Sequence, residues 1–254
     1  MKMTGACRWL LLGVLLAGRA LAAGPVALPA RCAAPDDLVG ATDDLPRAAA
    51  ALKPGAVLDV LVVGSAPMFG RVPPAPSAPS VVAFPWRMAE ALEAAVPGLR
   101  VNLTVRGGPG TTAGEMNAII RAELAAKPYG LVLWQTGTVE AVKNLPPGDF
   151  TDALVNGVDA AAEHGVDVLL VDPQYSRFLQ AHANVEPYER ALEQVAAMPD
   201  VVLFHRFELM RHWAEEGQLD LERVSEAERG PTLTLLHSCL GTHLARMVLA
   251  GARS

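Results

Sequence analysis

The chain has 254 residues, 51% of them hydrophobic, enough to bury the core of one sizeable domain. Acidic side chains outnumber basic ones, 27 against 21, for a net charge of −6. With no basic cluster, that balance excludes nucleic acid and anionic membrane surfaces as expected partners.

The first residues combine basic Lys2 and Arg8, a short apolar run from Trp9 to Ala17 and a small-residue site at Ala20, Leu21 and Ala22. Residues 1–22 therefore read as a secretory signal peptide, because the apolar run is too short to span a bilayer. A periplasmic or secreted protein is expected, with no integral membrane segment once the leader is cut. Residues 23–53 read as an N-terminal extension that packs on the domain formed by residues 54–254. Cys32 and Cys239 survive in the mature chain, one near each end. In an oxidising compartment they can form a disulfide; the alternative is two buried free thiols.

Apolar runs bounded by turn residues follow at Leu58 to Val63, Val101 to Val105, Leu131 to Gln135, Val166 to Val171 and Val201 to Phe204. Helical spacing occupies Trp86 to Val96, Thr112 to Ala126, Phe150 to His164 and Pro187 to Ala197, and Gly241 to Ala250 reads as a closing helix. This alternation predicts an α/β domain whose parallel sheet is covered on both faces. The stretch from Arg71 to Ser80 carries four prolines and reads as an extended loop after the first strand. No internal repeat divides the chain.

Ser65 follows a strand and a glycine, an arrangement that exposes a side chain at a strand's carboxyl end, where α/β folds place ligands. Glycine and serine after a strand are also ordinary turn residues. His205 and His212 flank Phe207 and Met210 and read as partly buried or surface residues. Glu215 and Glu216 read as a solvated helix end, and Trp86 and Trp134 as core residues or as the wall of an acyl or sugar pocket. A glycosylation sequon at Asn102 is discounted because it falls in a predicted strand. No HExxH or paired-cysteine pattern supports zinc, so no metal and no cofactor are expected.

Several blocks in order resemble the SGNH/GDSL hydrolase superfamily, in particular a bacterial, exported subgroup. Gly64, Ser65 and Ala66 are similar to the family's nucleophile turn, with Ala66 at the serine's place. The sequence VRGGPG from Val105 to Gly110 is similar to the family's Asn-x-Gly-x-x-Gly, with Gly110 placed to offer an oxyanion amide. WQTGTVEA from Trp134 to Ala141 resembles a block ending Gly-Thr-Asn-Asp, with Val139 for the asparagine and Glu140 for the aspartate. DPQY at Asp172 to Tyr175 and LFHRFELMRHW at Leu203 to Trp213 also resemble the subgroup. One alignment of the end sets the family's Asp-x-x-His on Glu228 and Pro231; a shifted one sets it on Thr234 and His237. The fold this resemblance implies is a three-layer α/β/α sandwich around a central parallel sheet of about five strands, SGNH or flavodoxin-like.

Ester hydrolysis on that scaffold needs a hydroxyl nucleophile, a histidine base and donors aimed at the oxyanion. Alanine has no hydroxyl, valine no donor and proline no base. Loss of one oxyanion donor costs on the order of 3 kcal/mol of transition-state stabilisation. The leading expectation is a catalytically impaired or inactive homologue that binds an acyl ester or glycan ligand. The alternatives are an active serine esterase or acyl hydrolase with Ser65 as displaced nucleophile and His237 or His243 as base, and a cell-envelope partner protein using the proline-rich loop.

Overall fold

Each of the five apolar runs is a strand of one parallel sheet in the computed structural model, which describes residues 24, 26–39, 45–65, 71–72 and 81–251. The expected leader, Ala66 and residues 73–80 of the proline-rich loop lie outside the described residues. A 3₁₀ turn at Ala30–Cys32 and two short helices, α1 (Asp36–Val39) and α2 (Pro46–Ala51), precede β1 (Val57–Gly64). A small antiparallel pair follows, β2 (Arg71–Val72) and β3 (Val81–Val82). Then come α3 (Phe84–Ala95), β4 (Arg100–Gly107), α4 (Ala113–Ala126), β5 (Leu131–Gln135), α5 (Thr138–Lys143) and α6 (Pro147–Glu163). The chain closes with β6 (Asp167–Val171), α7 (Arg177–His182), α8 (Glu186–Ala196), β7 (Val201–Phe204), α9 (Arg206–Glu215) and α10 (Glu226–Gly251).

The strand order is β4-β1-β5-β6-β7, with every neighbouring pair parallel. From β1 the chain first crosses to β4 on one side and then to β5 on the other, so the direction of winding reverses at β1. β5, β6 and β7 are buried throughout and β1 over most of its length, as expected of strands covered on both faces, whereas the edge strand β4 is half-buried to exposed. Leu58, Val60 and Val62 of β1 enter a core shared with α3 and α10, while Leu61 and Val63 enter a second core with α4, α6 and α8. Those two cores make the fold a three-layer α/β/α sandwich.

The closing helix is far longer than the sequence suggested, starting at Glu226 instead of Gly241. Two residues that read as punctuation lie inside it. Pro231 sits near the exposed start of α10, where the missing N–H forfeits one intrahelical hydrogen bond to Ala227, itself exposed to solvent. Gly241 is a contact glycine: a Cβ there would meet Arg87 Cβ at 2.4 Å and the Phe84 carbonyl oxygen at 2.8 Å. The start of the helix is marked instead by the preceding Ser225, whose hydroxyl and N–H both donate to the Glu228 carboxylate, at 2.7 and 3.4 Å.

The segment before β1 is held along this last helix. Cys32 and Cys239 form a disulfide with Cα atoms 5.2 Å apart. His243 Nε2 bonds the Cys32 carbonyl at 2.7 Å, and Trp213 Nε1 donates to the Ala33 carbonyl at 3.0 Å. Further along, the backbone N–H groups of Arg47 and Ala48 both donate to the buried Asp167 carboxylate at 2.9 Å. Burial raises the Asp167 pKa, and those two donors act against the rise. Among the described residues no helix is long and apolar enough to cross a membrane.

Candidate functional site

The reversal of winding at β1 opens a crevice between the carboxyl ends of β1 and β5, the place where open α/β sheets bind ligands. Ser65, one residue past β1, stands there and is 9% exposed. Its N–H and its hydroxyl both donate to Gln135 Oε1 from the end of β5, at 3.2 and 2.8 Å. An amide oxygen accepts that hydrogen bond but has no basicity with which to take the proton, so the hydroxyl is held and not activated. Ala66, the next residue, lies outside the described set.

The glycines of VRGGPG serve the same crevice by close approach. Gly107 ends β4 at φ +105, and a Cβ on it would lie 2.3 Å from the Gly64 carbonyl oxygen. That oxygen accepts the N–H of Gly108 at 3.1 Å. Gly110 stands beyond, exposed in the β4–α4 connection, with its carbonyl accepting Lys143 Nζ at 3.0 Å.

Glu140 has a structural partner set. Its buried carboxylate accepts the N–H of Ala113, the first residue of α4, at 2.5 Å, and the N–H of Gly137 at 3.1 Å. It ties the turn after β5 to the start of the neighbouring helix, where the helix dipole favours a negative charge. Val139 lies half-buried on the first turn of α5.

The residues near the chain's end divide by depth. Glu228 and Pro231 are exposed on the first turns of α10, and the bonds to Ser225 hold the Glu228 carboxyl below its usual range. Thr234 donates to the Gly230 carbonyl at 3.0 Å within the helix. His237 is buried, and its Nδ1 accepts the backbone N–H of Phe84 at 3.2 Å, with the two rings stacked. Burial, then the charges of Arg206 and Arg87, push its pKa down to about 4. Among the described residues, the hydrogen bonds of Ser65 and of His237 go to these partners and not to each other. His243 is turned to the Cys32 carbonyl, and burial lowers its pKa as well.

Sequence reasoning passed over a second feature, a cavity of about 340 Å³ between α9, α10 and the β6–α7 connection. His237 and Arg206 both line it. Arg206 is only 2% exposed, and its Nε and Nη2 make no hydrogen bond among the described residues. The signal was a basic residue placed two positions after the buried strand β7, in the register where chemistry is found on such sheets. The nearby Asp172 is spent on the helix start: its Oδ1 accepts the N–H of Phe207 at 2.9 Å. Burial pushes the Asp172 pKa well up, against the pull of that N–H and of the Arg206 charge. No group of three or more His, Cys, Asp or Glu able to hold a metal occurs among the described residues. Trp134 is fully buried under α6 and donates to Met116 Sδ at 3.2 Å, so it belongs to the core.

Residues 31–254 match the Non-GDSL lipase-like family. No curated protein sequence matches the chain. Among solved structures, an acetyl-xylooligosaccharide esterase from Geobacillus stearothermophilus, in a mutant form, superposes with a TM-score of 0.56 at 17% identity, covering 78% of this chain and 96% of its own. The lipase/acylhydrolase from Enterococcus faecalis gives 0.55 at 12% identity, covering 76% and 95%. TesA gives 0.51 at 20% identity, covering 72% and 97%. At those identities the likeness is one of fold.

Proposed function

Since the chain belongs to the Non-GDSL lipase-like family, within the SGNH/GDSL superfamily, we propose that it is an exported, catalytically impaired or inactive hydrolase homologue that binds an acylated or carbohydrate ligand. The observation that carries this reading is the pair of hydrogen bonds that occupy the two groups catalysis would need. The Ser65 hydroxyl donates to an amide oxygen, and His237 Nδ1 is taken by the Phe84 N–H. A general base works best with a pKa near the operating pH, and His237 sits near 4. The ligand class draws on the neighbours, whose names describe an acetyl-xylooligosaccharide esterase and a lipase/acylhydrolase. Export draws on the leader-like residues 1–22 and on the Cys32–Cys239 disulfide, which suits an oxidising compartment.

The competing reading is an active ester hydrolase with Ser65 as nucleophile and His237 as base. It draws on the place of Ser65 at the β1/β5 crevice, the natural binding position of this sheet. Labelling the purified mature protein with a fluorophosphonate probe, followed by peptide mass mapping, separates the two. The binding reading expects no adduct beside a reactive SGNH hydrolase as control. Phosphonylation of Ser65, lost in Ser65→Ala, would establish the competing one.

A further inference from the structure

We propose that the cavity between α9 and α10 binds a medium-chain carboxylate, with the carboxylate group on the Arg206 guanidinium and the alkyl chain along α10. The inference rests on the reading of this chain as a binder of acyl compounds and names the ligand and the residue that selects it. Its polar end is built by Arg206, after β7, and His237, in mid-α10.

A cation taken out of water is costly unless a hydrogen-bonded anion or acceptor meets it. Arg206 is almost fully buried, yet among the described residues no carboxylate lies within salt-bridge distance and two of its donor nitrogens have no acceptor. Asp172 reaches Arg206 only through the field of its charge, from beyond salt-bridge distance, and its Oδ1 accepts the Phe207 N–H. The other acidic groups on the cavity are already matched. Arg177 pairs with Asp220 at 2.9 Å and with Glu222 at 3.5 Å. His237 adds a further donor: with Nδ1 accepting from Phe84, its proton lies on Nε2. The cavity thus presents a buried planar cation with two open N–H donors and a neutral imidazole N–H on one lining, a set that fits a ligand bearing acceptors and one negative charge. A guanidinium fork matches the two oxygens of a carboxylate.

The rest of the wall asks for an apolar body. Phe84, Met210, Leu236 and Leu240 line the cavity, and the Arg206 guanidinium carbon stands 5.9 Å from the Phe84 ring centre. At about 30 Å³ for each water-sized group, 340 Å³ holds roughly eleven non-hydrogen atoms. Octanoate, with about ten, is the probe of matching size.

Isothermal titration of the full mature protein with octanoate and with octanamide, which keeps the chain and removes the charge, tests the proposal without any variant. Octanoate is expected to bind at least tenfold more tightly than octanamide. In Arg206→Met that preference should vanish, with octanoate losing more affinity than octanamide, and Leu236→Trp, which fills the apolar part, should weaken both. Circular dichroism confirms that each variant folds. Equal affinity for the two ligands in the natural protein, or no octanoate binding at millimolar concentration, would overturn the site. Turnover of p-nitrophenyl octanoate is read in parallel: hydrolysis would overturn the impaired-enzyme reading alone, since the octanoate preference is measured independently of it.

Discussion

His237 accepts the backbone N–H of Phe84 at Nδ1, 3.2 Å away, so a histidine on the last helix fixes the first residue of α3. The bond needs the neutral ring, and burial beside Arg206 and Arg87 lowers the pKa to about 4.

A pH dependence of stability follows. In the unfolded chain this histidine takes up a proton near pH 6.5, whereas the folded protein resists until about 4. The unfolded state therefore binds more protons between those values, and stability contributed above pH 6.5 is lost as pH falls toward 4. The loss is on the order of 3 kcal/mol for a shift of this size. Urea midpoints at pH 7.5, 5.5 and 4 should show the natural protein losing that much more than His237→Gln. Parallel declines in the two proteins would remove His237 as the cause.

Gly241→Ala should weaken the fold by about 2–4 kcal/mol, because the added methyl meets the Met88 nitrogen and the Phe84 oxygen, both at 2.8 Å, and backbone cannot step aside as a side chain does. Gly148→Ala, in a helix with nothing within 4 Å of the new Cβ, should instead gain about 0.5–1 kcal/mol. Thermal unfolding of the pair reads both signs. Equal effects would mean that helix propensity and not the α3–α10 approach decides at position 241.

The same glycine shows where the sequence was readable. Strand positions were legible because runs such as Leu131 to Gln135 are apolar on both faces and bounded by turns, and all five residues are buried. The span of α10 was not, since Gly241 and Pro231 carry the local marks of a boundary while their reason lies in a partner helix and a solvated end. At the crevice, Ser65 was visible as a residue past a strand, but its bond to Gln135 joins positions on two strands that no local pattern connects. Arg206 escaped for a related reason: what singles it out is the lack of a partner in space, which spacing along the chain does not reveal.

Removing the disulfide should expose how far the N-terminal segment depends on it. The bond closes a separation of 207 residues between a short N-terminal turn and the middle of α10. Cross-links of this kind contribute roughly 2–4 kcal/mol, mainly by restricting the unfolded chain. The double variant Cys32→Ala, Cys239→Ala should lose that amount in urea melts. Amide exchange should also rise first near Ala33, whose carbonyl holds Trp213, and at His243. A uniform rise over the whole chain would show global destabilisation without a local role.

Glu140 stands where the resemblance sets an aspartate, yet its carboxylate is committed to two backbone N–H groups, those of Ala113 and Gly137. Glutamine keeps the shape but presents an NH₂ to one of those donors, leaving a buried N–H unanswered, at a cost of about 1–3 kcal/mol. Glu140→Gln should therefore lower stability and speed amide exchange at both Ala113 and Gly137. Since the two donors belong to different elements, α4 and the turn after β5, a joint loss of protection would establish Glu140 as the tie between them. Faster exchange at Gly137 alone would confine it to capping its own short helix.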